Sequence, residues 1–201
     1  MSNKGYTVIG LTGPTGSGKT LVSSMFAEKG FAVVNADEVA HKALLNPEYI
    51  EKLTEAFGEG ILLEDGSVSR PALAEAAFSS KKNTELLNRI SHPLIIRMCK
   101  EEFEHLYEEG FERILFDAPT LFESEGNKLC AFTIAVLADD KTRLSRIMAR
   151  DNITPEQAKS RMKAQKSYEF YSNRADFVIM NEGDIDTLRR CTEEIIKELQ
   201  L

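Results

Sequence analysis

The stretch Gly13-Pro14-Thr15-Gly16-Ser17-Gly18-Lys19-Thr20 has the residue types and the spacing to hold a phosphate chain. It fits the pattern G-x-x-x-x-G-K-[ST], with a β-rich run before it and a helical pattern after it, the context this chemistry requires. Small residues let the backbone curl around an anion with its N–H groups pointing inward. The following helix adds the positive end of its dipole. Lys19 would then reach the β- and γ-phosphates, and Thr20 would offer its hydroxyl to Mg²⁺. The plain alternative is a strand-to-helix turn in which Lys19 is a solvated charge. A phosphate loop implies a bound nucleotide and leaves the reaction open.

Other side chains supply candidates for the reaction. Asp37 follows the second β-rich run in Asn35-Ala36-Asp37. Ligands of open α/β sheets bind beyond the carboxyl ends of the strands, so Asp37 should face the cleft. There it could accept the proton of an attacking hydroxyl or hold a metal-bound water. It also reads as the N-cap of a helix starting at Glu38. Asp117 ends Ile114-Leu115-Phe116-Asp117, where a strand-end carboxylate approaches Mg²⁺ in such enzymes. Its alternative is a solvated aspartate in the turn before Pro119. Arg143, Arg146 and Arg150 fall at i, i+3 and i+7, one stripe of a helix. Arginines so placed could cover the charge of a transferring phosphoryl group, or simply form a solvated face. Arg70 and His92 could each contact an anionic or polar acceptor, or be surface and capping residues. His41 and His105 have no metal-ligand spacing, and no Ser/His/Asp or Cys/His arrangement stands out.

Three classes share a phosphate loop: small-molecule kinase, guanine-nucleotide switch, and ATPase motor or transporter subunit. A guanine reader needs Asn-Lys-x-Asp after a strand, whereas Asn127-Lys128-Leu129-Cys130 lacks the aspartate and precedes one. A motor subunit needs a longer chain. A short chain with a helical insertion and a later arginine-bearing helix favours the kinase.

The elements that must position these residues alternate in type. Tyr6–Thr12, Phe31–Asn35, Arg113–Asp117, Phe132–Leu137 and Phe177–Met180 read as strands. Their continuous rather than alternating apolar character predicts burial on both faces, hence a parallel sheet covered by helices. Leu21, Val22, Met25 and Phe26 mark one face of the helix after the loop, with Gly30 placed to end it. The gap from about residue 37 to 110 reads as helical, with Asp65-Gly66 as a tight turn. Ser91-His92-Pro93 is expected to split one helix from the next, Pro93 opening the second and Gly110 closing it. Thr154-Pro155-Glu156-Gln157 predicts a capping box.

Length and composition agree. The chain has 201 residues, 42% of them apolar and 28% charged, which suits one sizeable globular domain. Its 25 basic and 32 acidic side chains give a net charge of −7, which argues against broad binding to nucleic acid or anionic membranes. The near-continuous apolar run Leu129–Ala138 is half a membrane span, and Met1-Ser2-Asn3-Lys4-Gly5 lacks the apolar core of a signal peptide. Cys99, Cys130 and Cys191 form neither a Cys-x-x-Cys pair nor a disulfide framework. A reduced, cytoplasmic setting is expected.

Taken in order, the motifs resemble the dephospho-coenzyme A kinase family over most of the chain. Carrying the resemblance are Gly10-Leu11-Thr12-Gly13 leading into Gly16–Lys19, Ala36-Asp37, Phe57-Gly58, Asp65-Gly66 with Arg70 and Leu73, and Phe78. Leu87-Asn88, His92-Pro93, Pro119 with Leu121-Phe122-Glu123, Arg146, Arg150-Asp151, Gln165, Ala175-Asp176 and Asn181 continue it. The resemblance implies an α/β, three-layer phosphate-loop kinase core with a five-stranded parallel sheet, a helical acceptor-binding insertion and a helical lid. The corresponding regions are 1–36 with 111–201 for the core, 37–110 for the insertion and 140–172 for the lid.

It also implies transfer of the γ-phosphoryl of ATP, with Mg²⁺, to the ribose 3′-hydroxyl of dephospho-CoA. By position, Asp37 would be the base, Arg70 and His92 acceptor residues, Arg146 and Arg150 lid arginines, and Asn181 would lie near the adenine. No partner beyond ATP and dephospho-CoA is expected, with a monomer or weak homo-oligomer as the state. Departures from the family's usual residues are Pro14-Thr15 in the loop, Asn35, Thr120 and Arg143. A kinase of another small hydroxyl compound, or a nucleotide switch without an acceptor, is the alternative.

Overall fold

A computed structural model describes residues 5–200. Five strands form one sheet: β1 (Thr7–Thr12), β2 (Ala32–Asn35), β3 (Arg113–Asp117), β4 (Phe132–Leu137) and β5 (Phe177–Met180). Their spatial order is β2-β3-β1-β4-β5. The registers of β1 with β3 and β4, and of β4 with β5, are parallel, with Gly10 opposite both Phe116 and Thr133. The chain steps to one side of β1 for β2 and β3, and to the other for β4 and β5. That reversal opens a crevice at the carboxyl end of β1.

Burial of the strands departs from the expectation in one respect. β1, β3 and β4 are buried on both faces, as their unbroken apolar runs predict. β2 and β5 are edge strands, and Val33, Val178 and Met180 are exposed. An edge strand has less cover to bury its outer residues, so continuous hydrophobicity there does not translate into burial.

The chain folds as two compact units, one running up to Val34 and resuming from His105, the other Asn35–Glu104. In the first, helix α1 (Lys19–Glu28) buries Val22, Met25 and Phe26 against Ile9, Leu11, Leu115 and Ile134. Leu21, expected on this face, is exposed instead. Gly30, at φ 84°, takes the left-handed conformation that ends the helix. Helix α9 (Ile185–Glu198) adds Leu188, Ile195 and Ile196 to the same core. Between β4 and β5 lie α6 (Asp140–Asp151), α7 (Pro155–Lys163) and α8 (Tyr168–Ser172). The capping box at Thr154 and Gln157 is present with both bonds, and so opens α7 as predicted.

The second unit holds α2 (Ala36–Ala43), α3 (Pro47–Phe57) and α4 (Arg70–Phe78). The Asp65-Gly66 turn closes a short antiparallel pairing of Leu62 with Val68, so the insertion is not wholly helical. Gly66 sits at φ 81°, and Asp65 Oδ1 accepts from the Ser67 N–H at 2.9 Å. The expected break at Ser91-His92-Pro93 does not occur: α5 (Lys81–Glu108) runs through with Pro93 inside it. Proline removes one N–H bond and costs about 3 kcal/mol in a helix interior. Leu87, Ile90, Leu94, Ile95 and Met98, on both sides of Pro93, all pack on this unit's core. Their shared burial holds the two halves in one helix.

Candidate nucleotide site

The loop Gly13–Gly18 leaves the end of β1 in the crevice. Gly13 has φ 148° and lies so close to the Val136 carbonyl of β4 that a Cβ would collide with it. Gly18, at φ 95°, is similarly closed off by the Asn181 amide. Neither position admits a side chain, which is why the pattern demands glycine there.

The loop carbonyls are tied outward. Arg143 Nε donates to Thr15 O at 3.0 Å, and Asn181 Nδ2 to Ser17 O at 2.8 Å. Arg146 Nη1 donates to Asn181 O at 3.1 Å, with longer contacts to Ser17 O at 3.4 Å and Gly16 O at 3.5 Å. Among the described residues no side chain caps α1 at Gly18, which leaves the positive end of the helix open at Lys19 and Thr20. The Thr15 N–H is taken up by Gln165 at 3.0 Å and the Ser17 N–H by the Pro14 carbonyl at 3.2 Å. The anion cradle is therefore made by the tied-out carbonyls of Thr15 and Ser17 and the positive start of α1.

Lys19 pairs with Asp117 in an ion pair that is largely buried, Asp117 being 4% exposed. Asp117 is thus not the solvated turn residue its sequence position allowed. Arg143, 7% exposed, is likewise no part of a solvated face. Arg146 is half-buried. Arg150 is exposed, pairs with Asp151 at 2.7 Å and reaches Thr15 Oγ1 at 3.4 Å. That pairing raises its already high pKa. Asp151 is pulled below the ordinary carboxylate range by the Arg150 hydrogen bond, with Arg161 contributing at 2.5 Å. The first unit therefore brings Gly13–Thr20, Asp117, Arg146, Arg150 and Asn181 together around one cradle.

Residues 7–187 match the dephospho-CoA kinase family. The chain belongs to that family. A dephospho-CoA kinase of Listeria monocytogenes is 36% identical over 190 residues, covering 94% of this chain and 95% of the relative. Among solved structures, a protein of Thermus thermophilus superposes with a TM-score of 0.82 at 31% identity, covering 98% of this chain and 99% of that one. The dephospho-CoA kinase of Campylobacter jejuni gives a TM-score of 0.70 at 27% identity, with 96% of each chain covered.

The remaining candidates of this kinase lie in the second unit. Asp37 is the second residue of α2, and it does not cap the helix. Asn35 does so, its Oδ1 accepting from the N–H groups of Asp37 at 2.9 Å and Glu38 at 3.3 Å. The helix starts two residues earlier than the capping alternative required, which leaves the exposed Asp37 carboxylate without a hydrogen bond or ion pair among the described residues. Arg70 opens α4 behind the Ser69 cap and is exposed. His92 is half-buried on α5, and burial alone lowers its pKa. In the first unit, Glu123 is raised above the usual carboxylate range, chiefly by burial, and its Oε2 has no partner among the described residues.

Two features escaped the sequence. One is Asp117 as the partner of Lys19, because a strand-end aspartate reads first as a metal ligand. The other is the grip of Arg143 and Gln165 on the loop. Its signal was the i, i+3, i+7 arginine stripe, whose buried member could not be told from its exposed one.

Proposed function

We propose that this kinase transfers the γ-phosphoryl of ATP to the 3′-hydroxyl of the ribose of dephospho-CoA, giving coenzyme A and ADP. The observation that carries the nucleotide half is the cradle itself: outward-tied carbonyls, an uncapped α1 and Lys19 at its start. Membership in the dephospho-CoA kinase family supplies the acceptor half. Lys19 moves from Asp117 to the β- and γ-phosphates, replacing one anionic partner by another. Asp37 takes the proton as the hydroxyl oxygen bonds to the γ-phosphorus and the bond to the leaving ADP oxygen breaks. Arg146 and Arg150 set positive charge beside the loop, Asn181 lies against the nucleotide base, and Arg70 and His92 hold the acceptor. Closure over the loop excludes water, which would otherwise take the phosphoryl group.

Mg²⁺ suits the oxygen donors present. No cluster of three or more His, Cys, Asp or Glu among the described residues could hold a metal ion alone. Thr20 Oγ1 and Asp117 would instead share it with water and phosphate oxygens, as Mg²⁺ prefers. Bound there, it would neutralise charge on the phosphate oxygens. The three cysteines are free, as a reduced, cytoplasmic setting would keep them, and burial pushes the Cys99 and Cys130 thiols up to about 12.

The test offers the purified chain Mg²⁺ and ATP with dephospho-CoA, AMP, CMP, pantothenate or shikimate in separate tubes, read by mass spectrometry. Only the dephospho-CoA tube is expected to gain a phosphoryl group. Gain by another acceptor would overturn the substrate, and nucleotide binding with no gain in any tube would make the chain a switch.

A further inference from the structure

The peptide of Thr15 is held on both sides by side chains outside the loop. Its N–H donates to Gln165 Oε1 at 3.0 Å, and its carbonyl accepts from Arg143 Nε at 3.0 Å. Arg143 Nη2 donates to the same Gln165 oxygen at 3.1 Å, closing a ring of three bonds, and Nη1 donates to Asp140 at 3.1 Å. Behind the ring α6 lies against the loop, for a Cβ on Gly16 would stand 2.8 Å from Arg143 O and 3.0 Å from Ile147 Cγ1. A buried guanidinium is costly unless its donors are used. Here the donors on three nitrogens are spent on the loop and its support, and lysine could not span the same planar fork.

We propose that Arg143 and Gln165 are positioning residues that jointly fix the Thr15 peptide and so preset the path of the phosphate loop. Neither touches the reacting phosphoryl group. The proposal rests on the loop being the ATP cradle. A preset loop need not be ordered when the nucleotide arrives, and that saving appears as affinity.

The test measures ADP affinity by calorimetry, and steady-state kinetics, for Arg143→Met, Gln165→Met and the double variant, all in the full chain. Each single change should weaken ADP by about tenfold, the usual effect of one lost buried hydrogen-bond partner. The double variant should lose less than the product of the two, since both act on one peptide. KM for ATP should rise in parallel, with kcat at saturation within about threefold of wild type. Unchanged ADP affinity in both single variants would overturn the proposal. So would a fall in kcat of about 100-fold at constant KM, which would place Arg143 on the reacting group. Wild-type protein that binds no ADP would overturn the cradle reading instead. Should Arg143→Met fail to fold, the partly exposed Gln165→Met decides alone.

Discussion

Lys19 and Asp117 are each other's buried partner, and the proposed reaction makes a second demand on each, Lys19 at the phosphates and Asp117 at Mg²⁺. Removing one member of such a pair strands a charge and costs about 3–5 kcal/mol. Lys19→Ala should therefore lower the melting temperature as well as kcat/KM, the latter by about 10²- to 10³-fold. Adding Asp117→Asn should restore the melting temperature without restoring turnover; recovery of turnover would show that Lys19 contributes only to folding. Asn35 and Asp37 separate more cleanly, because the cap bonds belong to Asn35. Asn35→Ala should cost about 1 kcal/mol of stability. Asp37→Asn should leave melting and ADP affinity unchanged while kcat falls about 10²- to 10⁴-fold, as for a lost general base. Stopped turnover with normal melting is the signature to look for, and normal turnover would remove Asp37 from the reaction.

At the scale of elements, the pairing of types was readable and the exceptions have physical causes. The glycine-rich turn after β1, the capping box of α7 and the turn at Asp65-Gly66 all depend on neighbours in sequence, so local rules find them. Pro93 does not obey the local rule because the penalty of one proline is smaller than the burial shared by the apolar stripe around it. Glu123 shows the opposite case, a charged side chain whose burial is set by distant residues. Its folded-state pKa lies above the unfolded value, so the folded chain binds the extra proton, and stability falls as pH rises from about 4.5 through that raised pKa. Glu123→Gln should accordingly raise the melting temperature at pH 7.5 and have less effect near pH 4.5. Equal effects at both values would mean that the carboxylate carries no burial cost.

For the whole molecule, the parallel α/β character was legible from unbroken apolar runs, whereas the order β2-β3-β1-β4-β5 was not. Strand order is decided by how crossovers pack, and nothing in a strand's own composition names its neighbour. The same limit hid the edge positions of β2 and β5. The site was legible where one motif carries it, from Gly13 to Thr20, and opaque where partners lie more than 100 residues apart, as Thr15 and Arg143 do. Net charge of −7 also has a consequence here, since basic side chains gather about the loop in an otherwise acidic chain. ADP at 100 times its dissociation constant should stabilise the fold by about 2.7 kcal/mol. A thermal melt with and without ADP checks this, and an unmoved midpoint would contradict the cradle.

The most direct measurement is phosphorus NMR of the products formed from ATP and dephospho-CoA. One ADP should appear for each new phosphomonoester, and that monoester should couple to the ribose 3′ proton. ADP accompanied by inorganic phosphate, with dephospho-CoA unchanged, would contradict the account.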